Sequence, residues 1–177
     1  MTDRPYAVTM ARYNAWQNAS LLAAAKTLPE GDLDRDRGAF FGTIRRTFSH
    51  LLWADAVWLA RFTGAEVPPG GIADSTGLAA DWSDFRRQRT ALDADILHWA
   101  TALPAAGPEG DLAWFSGATG RTVTRPRRLL LLHLFNHQTH HRGQIHAMLT
   151  AAGAHPDATD IWLMPDGSAT GSGDGTG

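Results

Sequence analysis

Residues 130–144 read LLLHLFNHQTHHRGQ, and this stretch decides both the predicted fold and the predicted chemistry of the chain. An apolar run leads directly into four histidines within nine residues. On an α-helix, side chains four residues apart lie on the same face, about 6 Å apart. Either His133 with His137 or His137 with His141 could therefore hold one metal ion, with a further ligand from another segment. Spacing alone does not choose between these two pairs.

A group of histidines indicates a metal site more strongly than one histidine does. Imidazoles buried side by side lose hydration and repel one another when protonated. A divalent cation that binds their nitrogens offsets this unfavourable free energy. The best further ligand is His50, because the small side chains of Thr43, Thr47 and Ala54 beside it leave room for an ion. The other histidines are expected to be structural, exposed or at most neighbours of the site: His98, His140, His146 and His155.

The composition predicts one globular domain. The chain has 177 residues, of which 44% are hydrophobic, which is enough for a sizeable core. We expect a single domain over residues 1–165 and a flexible tail over residues 166–177, where Gly and Ser bury too little apolar surface. A net charge of −2 argues against nucleic acid as a partner. The arginine clusters at 86–89 and 125–128 are expected to be solvated helix faces or caps.

Cysteine is absent from the sequence. Disulfides, zinc–thiolate sites and a cysteine nucleophile are therefore excluded, and any metal must be held by His, Asp or Glu. The N-terminus lacks the pattern of a signal peptide, and no run approaches the roughly 18 apolar residues that span a bilayer. We expect a soluble, cytoplasmic protein without a membrane partner.

Hydrophobic periodicity predicts four helices, at about 5–28, 41–62, 81–103 and 126–152. Gly64, Pro104 and Gly153 are expected to end the second, third and fourth helices. Thr124 is expected to cap the N-terminus of the fourth helix.

Three shorter segments join or follow these helices. Residues 112–124 form two short runs around Gly117 and Gly120, which predicts a hairpin. Residues 67–77 are rich in Pro and Gly and are expected to form a loop that could shape the mouth of a pocket. The apolar residues within 158–165 could pack on the helices.

Three motifs resemble those of the DinB family of metal-dependent enzymes. They are ARYNAW at 11–16, SHLLWAD at 49–55 and FNHQTHHRGQ at 135–144. The last contains Asn-His-x-x-x-His-Arg-Gly-Gln, which is quite specific to that family. The resemblance extends over about residues 8–165, and the order and spacing of the three motifs strengthen it.

The resemblance implies an all-α, four-helix bundle with a long crossover and a metal held by three histidines. Carried onto this sequence, the ligands are His50 from the second helix and His137 and His141 from the fourth, with His133 as the alternative. Three imidazoles leave one or more coordination positions open, as in catalytic rather than structural sites. Zinc, nickel and iron all accept such ligands.

Four further residues are candidates for supporting roles. Asn136 and Gln144 could hold the ring N–H of a ligand histidine and so fix its tautomer. Asp55 is a candidate ion-pair partner for Arg142. Gly143 costs about 1 kcal/mol relative to Ala within a helix, which indicates a closely packed neighbouring helix or open space beside the metal.

Two functions are compatible with these features. The first is a metal-dependent thiol transferase or hydrolase, in which the ion activates a thiol or water for attack on a small-molecule substrate. Within the family, some members resemble transferases that use low-molecular-weight thiols. No side chain is assigned as the catalytic group. The alternative is a non-catalytic, stress-related dimeric scaffold with a structural ion.

Seven tryptophans and seven phenylalanines in so small a chain predict a homodimer.

Overall fold

Four long α-helices dominate the computed structural model, which describes residues 2–77 and 81–166. The helices are α1 (Arg4–Ala25), α2 (Ile44–Thr63), α3 (Trp82–Ala102) and α4 (Arg127–Ala151). Strands β1 (Asp111–Ser116) and β2 (Arg121–Pro126) form an antiparallel hairpin between α3 and α4. Short 3-10 segments occur at Glu30–Asp34, Ser75–Gly77 and Ile161–Leu163. The four predicted helices and the predicted hairpin are therefore confirmed.

Local capping explains where most of the helices begin and end. The Asp3 side chain accepts a hydrogen bond from the Tyr6 amide at the start of α1, and Thr43 does the same for Arg46 at the start of α2. At the end of α2, Gly64 adopts a left-handed conformation with φ 77°, which glycine adopts without strain. These polar and glycine signals are readable in the sequence, so the predicted boundaries lie close to the observed ones.

The predicted cap of the fourth helix is wrong. Thr124 lies inside β2, where it pairs with Ala113, and the strand continues to Pro126. Helix α4 follows at once, and no side chain caps its first turn. Instead, the Arg127 amide donates to the Gly110 carbonyl at 2.9 Å, which closes the open end of the hairpin. Pro126 occupies the N-cap position of α4, so Thr124 lies two residues too early to cap the helix and pairs across the hairpin with Ala113 instead.

Each long helix packs against two others. Helix α1 contacts α3 and α4, and α2 contacts α3 and α4. Apolar side chains from all four helices fill the centre, and Phe48, Phe85, Phe135 and Ile145 are almost completely buried. Their burial favours the folded state by roughly 1.5–3 kcal/mol per side chain.

A buried charged group, Arg89, occupies the middle of this interior. Its guanidinium donates to Asp55 of α2 and to Asp93 of α3, each at 2.8 Å, and Arg89 is only 1% exposed. Asp93 also accepts hydrogen bonds from Asn14 and Asn18 of α1. The expectation that Arg89 belongs to a solvated cluster is therefore wrong, because this cation links three helices.

The segment after α4 is attached to α1 through its backbone. The carbonyl groups of Thr159 and Pro165 accept hydrogen bonds from Tyr13 at 2.6 Å and Arg12 at 2.8 Å. The apolar side chains at 161–163 are exposed, so the expectation that they pack on the helices is wrong. Most of the predicted tail, residues 167–177, lies outside the described residues. Within the described ranges, no helix is long and apolar enough to cross a membrane.

Candidate metal centre

Three histidines meet between α2 and α4. One nitrogen from each of His50, His137 and His141 lies within 4.8 Å of the other two. His137 and His141 are on successive turns of α4, and their ring centroids are 4.4 Å apart. The His50 ring comes from α2 and lies 4.7 Å from His141 and 5.4 Å from His137. Among residues 2–77 and 81–166, no carboxylate joins this group.

Hydrogen bonds fix the tautomers of two of these rings. Ser75 Oγ lies 2.7 Å from the Ile72 carbonyl, to which it donates its proton, and 2.8 Å from His50 Nδ1. Nδ1 of His50 must therefore be the donor to Ser75. His141 Nδ1 lies 2.8 Å from Gln144 Oε1, an acceptor, so it also carries its proton. Both rings consequently present a bare Nε2 lone pair, the form that binds metals.

The third ring, His137, is the least satisfied in the absence of an ion. Its Nε2 lies 3.1 Å from the bare Nε2 of His141, so a proton or a cation must lie between these two atoms. Nitrogens bound tetrahedrally to zinc lie roughly 3.3 Å from one another. The other ring nitrogen, Nδ1, is buried and has no hydrogen-bond partner within the described part of the chain. These residues therefore fit a divalent cation that uses imidazole ligands.

Burial keeps all three rings neutral at pH 7. The pKa of His137 is lowered to about 3, mainly by burial and then by the positive charge that His141 and His50 can carry. Burial, followed by the effect of His141, lowers the pKa of His50 to about 4. The pKa of His141 is also lowered by burial, although Gln144 opposes the shift. Protons therefore compete weakly with a metal at these nitrogens.

Aromatic side chains surround the histidines. Phe41, from the segment before α2, stacks on His50 with ring centroids 4.1 Å apart and also contacts His141 at 5.7 Å. The Trp53 ring lies 6.1 Å from His50 on the side toward the loop at 67–77. These rings limit the access of water to the imidazoles, which strengthens electrostatic interactions there.

The alternative ligand, His133, lies outside the group of three. Its ring contacts Trp58 edge-on at 4.8 Å, and its centroid is 5.7 Å from that of His137. His133 is more exposed than the three histidines of the group, but its ring is partly covered, and this desolvation, followed by the charge of Arg61, lowers its pKa. His140 is also exposed and contacts His141 at 4.9 Å. The imidazoles of His133, His137, His140 and His141 thus lie near one another along α4. Only those of His137 and His141 contact His50.

The residues predicted to support the ligands have different positions. Gln144 contacts His141, as described above. Asn136 is exposed, and its amide donates to the Leu132 carbonyl of its own helix, so its predicted contact with a ligand ring is absent. Arg142 is buried and donates to Asn14 and Thr139. Arg142 forms no direct ion pair with Asp55 in the described residues, because Arg89 donates to Asp55 Oδ2. The pKa of Arg142 is lowered by burial to about 10, and the charge of Asp55 opposes this shift, so the two groups still interact through space.

Gly143 borders open space, but this space is not beside the metal site, so neither of the two predicted explanations applies. A Cβ at this position would have no atom within 4 Å. The space belongs to a groove lined by Tyr13 and Thr159, whereas the histidines lie on another face of α4. The glycine is therefore not beside the candidate metal site.

Sequence reasoning missed Ser75 and Phe41. Both contact His50, but Ser75 is 25 residues further along the chain, in a loop without helical or strand periodicity. Phe41 stands at the predicted start of the second helix, but the helix begins three residues later, at Ile44. Only the path of the two loops brings these side chains to the imidazoles.

Comparisons with known proteins cover the whole helical region. The sequence profile described as DinB family matches residues 1–171. Protein DinB of Bacillus subtilis (strain 168) is 25% identical over 174 residues, which span 89% of this chain and 92% of the relative. Both similarities include the helices that carry the three histidines.

Proposed function

The chain belongs to the DinB family, and from this premise we propose that it is a metal-dependent enzyme. One divalent ion, with zinc, nickel and iron as the candidates, is held by His50, His137 and His141. The reaction is the attack of a small thiol, or of water, on an electrophilic small-molecule substrate. The four-helix bundle typical of the family is part of the proposal, and the packing of each helix against two others supports it.

The observation that carries this proposal is the set of three neutral imidazoles, which no carboxylate from the described part of the chain joins. Neutral ligands leave the full charge of a divalent ion in place, and such an ion lowers the pKa of a coordinated thiol or water. A structural ion is usually enclosed by four protein ligands, whereas a catalytic ion keeps a position open. The ligand set therefore favours an enzyme over the scaffold.

The chain's own side chains orient the ligands and exclude water. Ser75 and Gln144 hold the Nδ1 protons of His50 and His141, which directs the Nε2 lone pairs toward the common centre. Phe41 covers one face of His50. The sequence contains no cysteine, so a thiol nucleophile must come from a small molecule. Hydrolysis requires only water and is supported equally by these residues.

The test begins with the metal content of purified protein. We expect one ion per chain in the wild type and strong loss in His50→Ala, His137→Ala and His141→Ala. His98→Ala, which removes an exposed histidine of α3, is the matched control and should keep the ion. Loss in His133→Ala with retention in His141→Ala would transfer the ligand role to His133.

A second measurement tests whether a coordination position is open. In a cobalt-substituted sample, azide or a small thiol should change the visible absorption spectrum. Reaction rates with a thiol and an electrophile should follow metal occupancy and disappear in folded His141→Ala. If neither azide nor a thiol changes the spectrum, the enzyme proposal is wrong and the scaffold replaces it.

A further inference from the structure

A cavity of about 500 Å³ adjoins the histidine centre on the outer side of α2. Trp53, Val57 and Arg61 of α2 form one wall, and the loop at 67–73 and the tip of the hairpin form the others. Ligand-binding cavities commonly have volumes of about 300–1,000 Å³. The cavity therefore has room for a small organic molecule.

Two contacts connect this cavity to the candidate metal centre. Trp53 lines the cavity, and its ring lies 6.1 Å from that of His50. Ile72 also lines the cavity, and its carbonyl accepts the proton of Ser75, whose oxygen holds His50 Nδ1. The same loop thus shapes the cavity and orients a predicted ligand.

The cavity wall contains a concentration of exposed apolar surface. Val67, Ile72 and Phe115 are 42%, 50% and 66% exposed, and all three border this space. Val67 and Ile72 come from the loop at 67–73 and Phe115 comes from β1, so their convergence is a property of the fold. An apolar molecule in the cavity would remove these surfaces from water, which favours its binding.

Arg61 brings a positive charge to the cavity wall. Its guanidinium lies over the rings of Trp58 at 4.7 Å and Trp114 at 5.5 Å. Burial lowers its pKa, and no carboxylate within the described residues forms an ion pair with it. A guanidinium on aromatic rings keeps its N–H donors free for a planar, bidentate anion.

We propose that this cavity binds a small substrate that carries a carboxylate on an apolar body. Arg61 pairs with the carboxylate, and the apolar body lies against Trp53, Ile72 and Phe115. The role of the bound molecule as a substrate rests on the proposed function, whereas binding at Arg61 does not require a metal. A carboxylate matches the forked guanidinium geometry, because its two oxygens can accept two parallel N–H···O bonds.

The experiment compares 3-phenylpropionate with its neutral amide, 3-phenylpropanamide, on the full chain treated with a chelator. Nuclear magnetic resonance follows the indole N–H signals of ¹⁵N-labelled protein, because Trp53 lines the cavity and Trp58 and Trp114 contact Arg61. We expect the acid to shift these signals and to bind at least about tenfold more tightly than the amide, as a charge-assisted pair requires. Equal affinities for acid and amide would overturn the proposal without any variant.

Variants then locate the anion. Arg61→Gln should weaken binding of the acid at least about tenfold, and Arg61→Lys, which keeps the charge, should weaken it less. Arg86→Gln is the matched control, because Arg86 is also partly buried and lines a different cavity on α3. Unchanged affinity in Arg61→Gln, or an equal loss in Arg86→Gln, would contradict the assignment.

Comparing metal-loaded with chelator-treated protein distinguishes binding at Arg61 from binding at the metal ion. Binding that survives the chelator and requires Arg61 supports the cavity site even if the chain holds no metal. Binding that appears only with metal and disappears in His141→Ala would place the carboxylate on the ion and would overturn the Arg61 site.

Discussion

The hydrogen bond from His50 to Ser75 gives the first prediction at the scale of single residues. Ser75→Ala removes the acceptor that holds the Nδ1 proton, so the His50 ring loses its preferred tautomer and orientation. Such partners of ligand histidines typically contribute about 10–100-fold to metal affinity. We therefore expect a loss of that size, measured by competition with a chromophoric chelator. Ser83→Ala, an exposed serine of α3, should bind metal as the wild type does. Equal affinities of the two variants would contradict the role of Ser75.

The lowered pKa values of the histidines predict how the stability of metal-free protein depends on pH. The pKa of His137 is about 3 and that of His50 about 4 in the folded chain, against 6.5 for an ordinary histidine. Below pH 6.5 the unfolded chain therefore takes up protons that the folded chain does not. The contribution of these two histidines to the free energy of unfolding should fall as the pH decreases from about 6.5, and this fall should end near pH 3–4.

Urea denaturation with a chelator present, at pH 7.5, 6.0 and 5.0, measures this dependence. His137→Gln cannot be protonated at this position, so its stability should fall less with decreasing pH than that of the wild type. His98→Gln replaces an exposed histidine and should show the wild-type slope. A wild-type slope in His137→Gln would show that His137 does not have the lowered pKa.

At the scale of elements, the Arg89 network predicts a large contribution to stability. Arg89→Met removes the cation between Asp55 and Asp93 and leaves two buried carboxylates without their partner. Breaking a buried ion pair from one side typically costs about 3–5 kcal/mol. Urea denaturation should therefore show a loss of that order.

Arg87→Met is the control for this loss. Arg87 is on the same helix and forms an ion pair with Asp84, but that pair is exposed and should contribute less than about 1 kcal/mol. Similar small losses in the two variants would mean that Arg89 is not required to neutralise the interior.

The helices were predictable because their signals are local. Gly64 and the cap residue Thr43 act within one turn of α2, and hydrophobic periodicity depends only on spacing. The position of Arg89 was also readable, because the buried positions of α3 recur every three or four residues and include both Arg89 and Asp93. The neighbouring arginines favoured solvent exposure for the whole cluster, so the buried position of Arg89 was not predicted.

The rest of the candidate site depends on tertiary structure. His137 and His141 follow from helical spacing, but the contact of Ser75 with His50 depends on the path of a loop with no periodic pattern. Thr124 illustrates a competition between local rules, because cross-strand pairing determined its backbone and capping did not. Hydrogen bonds between residues far apart in the chain leave no local pattern in the sequence, so these two features were not predictable from it.

At the scale of the whole molecule, the cavity and the histidine centre lie along one side of α2. The loop at 67–73 and the hairpin both reach this side, since each contributes residues to the cavity wall. Helices α1 and α3 contribute to stability instead, through the buried hydrogen bonds and ion pairs around Arg89. This division separates the residues expected to affect binding from those expected to affect stability.

The exposed apolar segment at 161–163 bears on the predicted homodimer. Trp162 is 77% exposed, Ile161 and Leu163 are more than 40% exposed, and hydrogen bonds hold the flanking backbone to α1. Dimerisation through this segment would remove its apolar surface from water.

Light scattering at micromolar concentration should give about twice the chain mass of 19.1 kDa. Trp162→Ser should shift the mass toward the monomer, whereas Phe115→Ser, which alters an exposed ring on the hairpin, should not. A wild-type mass of 19.1 kDa would refute the dimer, and an unchanged dimer in Trp162→Ser would exclude this segment as its interface.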